Sequence, residues 1–382
     1  MRFTDICEAL VERGHSVTVV TGVPNYPEGE IYPDYRGGQR RKEKIGGVEV
    51  LRYATVPRKT GTLFRILNYF SFAISAWLKA GKLADDYDVV LINQMSPVMM
   101  CWPGFRYARK HNKKCVMYCM DLWPASLAAG EIKEDSLIYK VFKRISKRIY
   151  RRADKILITS RMFQDYFDEQ FNITGDKIEY LPQYADSQFE EKLSSGEEKS
   201  TVDLMFAGNI GAAQSIYTIL GAAELLKEEK NVFWHIVGDG SELKAAKNFC
   251  TNLNLENVIF YGRRPIDEMP ELYSKADAMI VTLTGDPFIS MTLPGKVQTY
   301  MAAGKPILAA ARGEIPSVLS DSGCGLCCEA DNAEAFAELA KDFIKSTDKK
   351  NFALKARAYY EANFTRRAFV DKLELTLKEH CK

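Results

Sequence analysis

Long apolar runs are missing from this 382-residue chain. No uninterrupted stretch approaches the ~20 residues that a membrane-spanning helix needs, which excludes a helical anchor within it. The opening Met1-Arg2-Phe3-Thr4-Asp5 lacks the apolar core of a secretory signal. A surplus of one charge is missing too: 52 basic residues face 50 acids, a net +2, so a chain built to coat nucleic acid is excluded. The nine cysteines are odd in number and follow no framework, which excludes a disulfide scaffold and fits a reducing cytosol. Only four histidines occur, scattered at His15, His111, His235 and His380 with no HExxH pair. Cys324-Gly325-Leu326-Cys327-Cys328 offers a CxxC, but no second cluster completes a tetrahedral site, so no metal is expected.

What is present is ordinary globular composition, 46% hydrophobic and 27% charged, long enough for two or three domains of ~150 residues each. Helical and strand-like segments alternate almost throughout, which predicts α/β layers with parallel sheets. A helix over 4–13 ends at Gly14. Strands follow at Val17–Thr21, Val48–Tyr53, Val89–Asn93, Cys115–Cys119 and Lys155–Thr159. Ser187–Ser200 is polar, charged and poor in large apolar residues, so it reads as a linker. A second α/β series carries strands at Val202–Ala207, Val232–Val237, Val258–Tyr261, Ala278–Val281 and Ile307–Ala310. Two Rossmann-like domains facing across a cleft are expected: 1–186, then 201–362 after the linker 187–200.

Three segments can carry chemistry. Ala207-Gly208-Asn209-Ile210-Gly211 leaves a strand ahead of a helix, where glycines let the backbone approach a ligand and the helix start favours an anion. Gly238-Asp239-Gly240-Ser241 repeats the arrangement, or is a tight turn with Ser241 as cap. Pro294 and Gly295 open a short helix that Ala303-Gly304 closes, placing Lys296 in its first turn. A cation is unfavourable there unless an anion shares the site, so Lys296 is either a phosphate ligand or a solvated surface lysine. Asp121, at the end of a buried strand in Tyr118-Cys119-Met120-Asp121-Leu122-Trp123-Pro124, could serve as base or hydroxyl clamp, or cap the next helix. Asn93-Gln94-Met95-Ser96-Pro97 leaves the neighbouring strand in the same way.

Two stretches are basic and amphipathic. In 137–152, Ile138, Val141, Phe142, Ile145 and Ile149 form one helical stripe, with seven lysines and arginines on the rest. In 58–82, bases mix with aromatics. Both suit an anionic membrane surface. For 137–152, a core-packed helix with a solvated basic back remains equally open.

Gly22-Val23-Pro24-Asn25-Tyr26-Pro27-Glu28-Gly29, Asp121-Leu122-Trp123-Pro124, Ala207-Gly208-Asn209-Ile210-Gly211 and Leu293-Pro294-Gly295-Lys296-Val297-Gln298 together resemble glycosyltransferase family 4. The match is to its subgroup of amino-sugar transferases, such as fucosamine transferases, of O-antigen, capsule and exopolysaccharide assembly. Tyr359-Tyr360-Glu361-Ala362-Asn363-Phe364 ahead of a last helix is also similar. The resemblance implies a GT-B fold with a UDP-sugar donor in the C-terminal domain and no metal or cofactor. It places the acceptor, a lipid-pyrophosphate-linked saccharide, in the N-terminal domain of a bacterial enzyme on the inner face of the plasma membrane. It puts the final helix, 363–382, back on the N-terminal domain. Carried over by position, Asp121 is the catalytic carboxylate, and Asn93, Gln94, Ser96 and Trp123 lie on the acceptor side. Gly208, Asn209, Gly211, Gly238, Arg263, Arg264, Pro294, Gly295, Lys296, Gln298 and Thr299 lie on the donor side. Asn209 stands where most of the family has a basic residue, and Thr299 where it has a ribose-binding glutamate. Charge compensation therefore falls to Lys296 and to Arg263 or Arg264.

Relatives begin with a strand and glycine-rich loop ahead of the segment resembling Arg2-Phe3-Thr4-Asp5, whereas this chain enters at the helix. The absent strand would be the central one of its sheet, leaving buried backbone groups unpaired. Residues upstream of Met1, or a damaged copy, would explain it. The expected activity is retaining transfer of an N-acetylated sugar. A UDP-sugar 2-epimerase of the same fold, or a non-catalytic membrane-bound scaffold, are the alternatives.

Overall fold

A computed structural model describes residues 2–25, 29–57, 62–128, 132–190 and 199–381. Residues 26–28 of the first motif, 58–61 of the first basic stretch and 191–198 of the expected linker lie outside the described residues. The chain divides into two compact units, the first Met1–Thr159, Phe163–Leu181 and Val370–Lys382, the second Ser160–Met162 and Pro182–Phe369.

The first unit contains α1 (Arg2–Glu12), β1 (Thr18–Gly22), β2 (Lys42–Ile45), β3 (Val48–Tyr53), α2 (Thr62–Ala80), β4 (Val89–Gln94) and α3 (Trp102–His111). It continues with β5 (Lys114–Cys119), α4 (Ala125–Ala128), α5 (Leu137–Arg152), β6 (Lys155–Ile158), α6 (Phe163–Phe171) and β7 (Ile178–Tyr180). Its strands form two sheets rather than one, ordered β1-β3-β2 and β4-β5-β6-β7. Among the described residues no strand joins them, and β1 and β4 are both outer strands. The second sheet is parallel throughout. In the first, β2 pairs antiparallel with β3, with Ile45 opposite Val48 across the turn Gly46-Gly47. Both turn glycines have positive φ, 54° and 83°, which suits a two-residue hairpin.

The second unit contains β8 (Val202–Ala207), α7 (Ile216–Leu225), β9 (Val232–Val237), α8 (Leu243–Asn252), β10 (Val258–Gly262), α9 (Met269–Lys275) and β11 (Ala278–Thr282). Next come α10 (Pro287–Ser290), α11 (Gly295–Ala302), β12 (Ile307–Ala310), α12 (Glu314–Ser322), β13 (Gly325–Cys328), α13 (Ala333–Lys345) and α14 (Lys349–Asn363). One parallel sheet runs β10-β9-β8-β11-β12-β13. Alternate residues of its strands enter different cores. Met205, Met279 and Ile307 pack on one side, and Leu204, Phe206, Ile280 and Leu308 on the other. A strand buried on both faces needs a continuous apolar run, and Leu204–Ala207 of β8 and Ile307–Ala310 supply one. Each large side chain so buried contributes roughly 1.5–3 kcal/mol.

Three differences from the sequence expectation have physical causes. Phe189 lies within the run read as linker, yet it is buried and stacks on Tyr273 with ring centroids 5.0 Å apart. Glu190 beside it accepts the Tyr360 hydroxyl at 2.6 Å. One aromatic anchor outweighs the polar composition around it. The Cys324–Cys328 run is strand β13 with its lead-in: Cys327 pairs with Ala309 and Cys328 with Ala310. The last helix, α15 (Arg366–Glu379), spans the division, and its residues from Val370 onward belong to the first unit. There Arg13 pairs with Asp371 at 2.6 Å and with Glu374 at 2.8 Å.

Candidate functional site

The second unit gathers its glycines where β8, β9 and β10 end. Gly208 has φ +145° and Gly238 has φ +142°, conformations that side-chain-bearing residues rarely adopt. A Cβ on Gly238 would lie 1.8 Å from the Gly208 carbonyl oxygen, so the two loops touch backbone to backbone. Gly208 N donates to Val237 O at 2.9 Å, Ile210 N to Asp239 O at 2.8 Å, and Gly238 N to Gly262 O at 2.9 Å. Gly211 N donates to the Gln214 side chain at 3.2 Å, which also accepts from Asn209 Nδ2 at 3.0 Å. Several amides expected to face an anion are thus spent in holding the loops together.

Positive charge comes instead from Lys296. Pro294, with φ −68°, precedes α11, and Gly295 is its first residue. Four residues after Lys296, the Tyr300 hydroxyl donates to Ala207 O at 2.9 Å and accepts from Ala207 N at 3.1 Å. This ties α11 to the end of β8 and puts Lys296 Nζ 3.9 Å from the Phe206 ring centroid. A Cβ on Gly208 would come within 3.0 Å of that nitrogen. The reading of Lys296 as a solvated surface lysine is therefore corrected: part of its stem reaches solvent, but Nζ is buried and has no hydrogen-bond partner. Burial alone pushes its pKa down to about 7. An ammonium there lacks water and a counter-charge, and an arriving anion would supply the second.

Gln298, by contrast, is buried throughout, with both amide atoms unpartnered. Thr299 turns its hydroxyl back to Gly295 O at 2.9 Å. Arg263 is exposed just beyond β10, and Arg264 lies 3.7 Å from Glu268.

In the first unit, Asp121, Trp123 and Ser96 form one cluster. The Trp123 indole N–H donates to Ser96 Oγ at 3.0 Å and to Asp121 Oδ2 at 3.1 Å. Asp121, four residues ahead of α4, thus accepts from the indole rather than acting only as a helix cap. Burial raises its carboxyl pKa, and hydrogen bonds from Ser126 and then Trp123 partly offset this. Trp123 itself is 1% exposed and meets Tyr69 and Phe142 edge-on, so it supports Asp121 from the core instead of facing an acceptor. Gln94 donates to Met95 O at 2.9 Å, while its Oε1 and Asn93 Oδ1 are buried without partners.

The expected apolar stripe on α5 is also revised. Tyr139, Ser146, Ile149 and Tyr150 are buried, whereas Leu137, Ile138 and Val141 are exposed. On α2, Ile66, Leu67, Ile74, Trp77 and Leu78 are exposed. No helix among the described residues is long and apolar enough to cross a membrane. Sequence reasoning missed Phe206 and Tyr300, whose signals, an aromatic in a strand and one in a helix, are indistinguishable from core.

Residues 2–189 match the family described as Glycosyltransferase Family 4, and residues 187–361 match Glycosyl transferases group 1. A probable glycosyltransferase of Pseudomonas aeruginosa, WbjE, is 27% identical over 325 residues, covering 81% of this chain and 78% of that protein. WcaI of Escherichia coli, named a putative colanic acid biosynthesis glycosyl transferase, is 23% identical over 353 residues, covering 87% and 84%. Anabaena HepE, solved with UDP and glucose, superposes with a TM-score of 0.70 at 16% identity, covering 98% and 94% of the two chains. WaaG, a glycosyltransferase involved in lipopolysaccharide biosynthesis, gives 0.68 at 16% identity, covering 98% and 95%. These likenesses establish the GT-B fold.

Proposed function

For a chain built of a glycosyltransferase family 4 domain followed by a group 1 domain, we propose a specific transfer reaction. The second unit binds a UDP-sugar, its sugar N-acetylated, and the acceptor is a lipid-pyrophosphate-linked saccharide of cell-surface polysaccharide assembly. The observation that carries the donor assignment is Lys296, whose buried Nζ lies without a partner beside Gly208. A diphosphate there would gain a charge-assisted bond from the buried amine. Arg263 or Arg264, exposed at the end of β10, would meet the remaining charge. HepE, a protein of the same fold, was solved with UDP, which supports the nucleotide.

Transfer proceeds with retention and without a metal or cofactor. The acceptor hydroxyl oxygen bonds to the anomeric carbon as the bond from that carbon to the diphosphate breaks. The departing diphosphate takes the hydroxyl proton. Asp121 orients the acceptor hydroxyl, its carboxylate fixed by the Trp123 indole. The exposed apolar side chains of α2 and α5, beside Lys140, Arg144 and Arg148, rest the protein on the anionic inner face of the plasma membrane.

Calorimetry of UDP with the full chain and with Lys296→Ala tests the donor site. Binding by the parent and a loss of at least tenfold in the variant is expected. Affinity within twofold of the parent would remove Lys296 from the site. Product analysis with a UDP-sugar but no lipid acceptor separates transfer from 2-epimerisation, which needs no acceptor.

A further inference from the structure

The end of α2 with Gly81, α3 from Trp102 to Lys110 and the end of α5 line an open cavity of about 790 Å³ that includes none of the residues assigned to transfer above. Its lining includes Trp77, Trp102, Arg106, Arg109, Lys110 and Arg152, and no carboxylate. Arg106, Arg109 and Lys110 fall at i, i+3 and i+4 on one face of α3. The Arg106 guanidinium stacks 3.7 Å from the Trp77 ring centroid. It also lies over Gly81, where a Cβ would come within 2.5 Å of its Nε. Lys110 Nζ donates to Gly81 O at 2.7 Å, leaving two of its three donors.

Cations at a helix C-terminus have an ordinary role in offsetting the helix dipole. That role does not require a stacked guanidinium at a cavity wall. Nearby acids are taken by other bases: Asp85 pairs with Lys113 at 3.1 Å, and Asp154 with Lys114 at 2.7 Å. Among the described residues none of the four lining cations has an ion-pair partner. Beside the cavity, Ile74 and Leu78 are exposed with Trp77 on the same stripe of α2. Phosphate-binding donors thus adjoin an apolar strip.

We propose that this cavity seats the phosphate headgroup of one anionic glycerophospholipid, its acyl chains lying along Ile74, Trp77 and Leu78. The site rests on the membrane reading above and adds a discrete headgroup seat to it. Arg106 and Arg109 grip the phosphate oxygens, Lys110 and Arg152 add field, and Trp77 marks the depth of the interface.

The probe is dihexanoylphosphatidylglycerol below its micelle concentration, titrated into the full chain and followed by calorimetry. Dihexanoylphosphatidylcholine and inorganic phosphate serve as comparisons. One-to-one saturable binding is expected, at least tenfold tighter than either comparison. It should weaken at least tenfold in Arg106→Gln and in the exposed Arg109→Gln, but stay within twofold in Arg144→Gln/Arg148→Gln on α5. Equal losses in the α5 variant, or no saturable binding, would overturn the seat in favour of diffuse attraction. Inorganic phosphate binding as tightly as the lipid would overturn the lipid as occupant. Sedimentation with 3:1 phosphatidylcholine:phosphatidylglycerol vesicles separates the two readings. Vesicle binding that survives Arg106→Gln and Arg109→Gln undiminished sinks the seat alone, whereas a parent that ignores vesicles sinks the membrane reading.

Discussion

Tyr300 grips Ala207 through both of that residue's backbone groups, donating to its carbonyl at 2.9 Å and accepting from its amide at 3.1 Å. The bond pair joins the second turn of α11 to the last residue of β8. Through it the position of Lys296, one turn earlier, is set relative to Gly208.

Tyr300→Phe should therefore affect stability and binding together. It leaves a buried amide and carbonyl unpaired, a loss of about 1–3 kcal/mol, and frees α11 to shift against β8. Thermal unfolding should fall by several degrees and UDP affinity by more than the effect of lost stability on the folded fraction. An unchanged affinity in the folded variant would show that Lys296 is positioned by packing alone.

Lys296→Met should stabilise the nucleotide-free chain. Burial lowers the lysine pKa from 10.5 to about 7, so between those values the unfolded chain binds more protons and stability rises with pH. The penalty is fully present below about pH 7 and fades toward pH 10.5. The gain from Met, read as a melting-temperature difference, should accordingly be largest at pH 6–7 and shrink on alkalinisation. A destabilised Met variant at pH 7 would contradict a burial penalty.

The two loop glycines should separate in their effects. Gly238→Ala would drive a Cβ to 1.8 Å from the Gly208 carbonyl oxygen and should prevent the second unit from folding normally. In Gly208→Ala the new Cβ meets the movable end of Lys296 at 3.0 Å. Backbone strain there costs roughly 1–3 kcal/mol, so a folded chain with UDP binding weakened at least tenfold is expected. Circular dichroism alongside calorimetry distinguishes the two outcomes.

Asp121→Asn keeps an oxygen for the Trp123 indole but loses the charge. Transfer should fall at least a hundredfold, with the fold intact. Burial raises the native carboxyl pKa above 3.8, so the parent loses stability as pH rises between the two values. The Asn variant should therefore be no less stable at pH 7. Full transfer by this variant would take Asp121 out of the mechanism.

Much of the fold was legible because its strands are short apolar runs bounded by turn residues. Val202–Ala207, Val232–Val237 and Ile307–Ala310 coincide with β8, β9 and β12, and Val48–Tyr53 with β3. The strands missed were those whose local signal is weak or masked. β7 has three residues, and β13 carries the cysteines that read as a CxxC. β2 is largely exposed and charged, though the Gly46-Gly47 pair between Ile45 and Val48 marks its hairpin.

The sequence by itself determined the two α/β series, the glycine loops and the short helix that carries Lys296, because periodicity and turn chemistry are local. Only the tertiary structure decided what those residues face. Burial of the Lys296 amine against Phe206, the bond from the Trp123 indole to Ser96, and the stacking of Arg106 on Trp77 all join elements distant in the chain. A lysine in the first turn of a helix is identical in sequence whether water or a phenylalanine ring lies over it. The packing of α11 on β8 makes it the second, and its charge becomes costly until an anion shares the site.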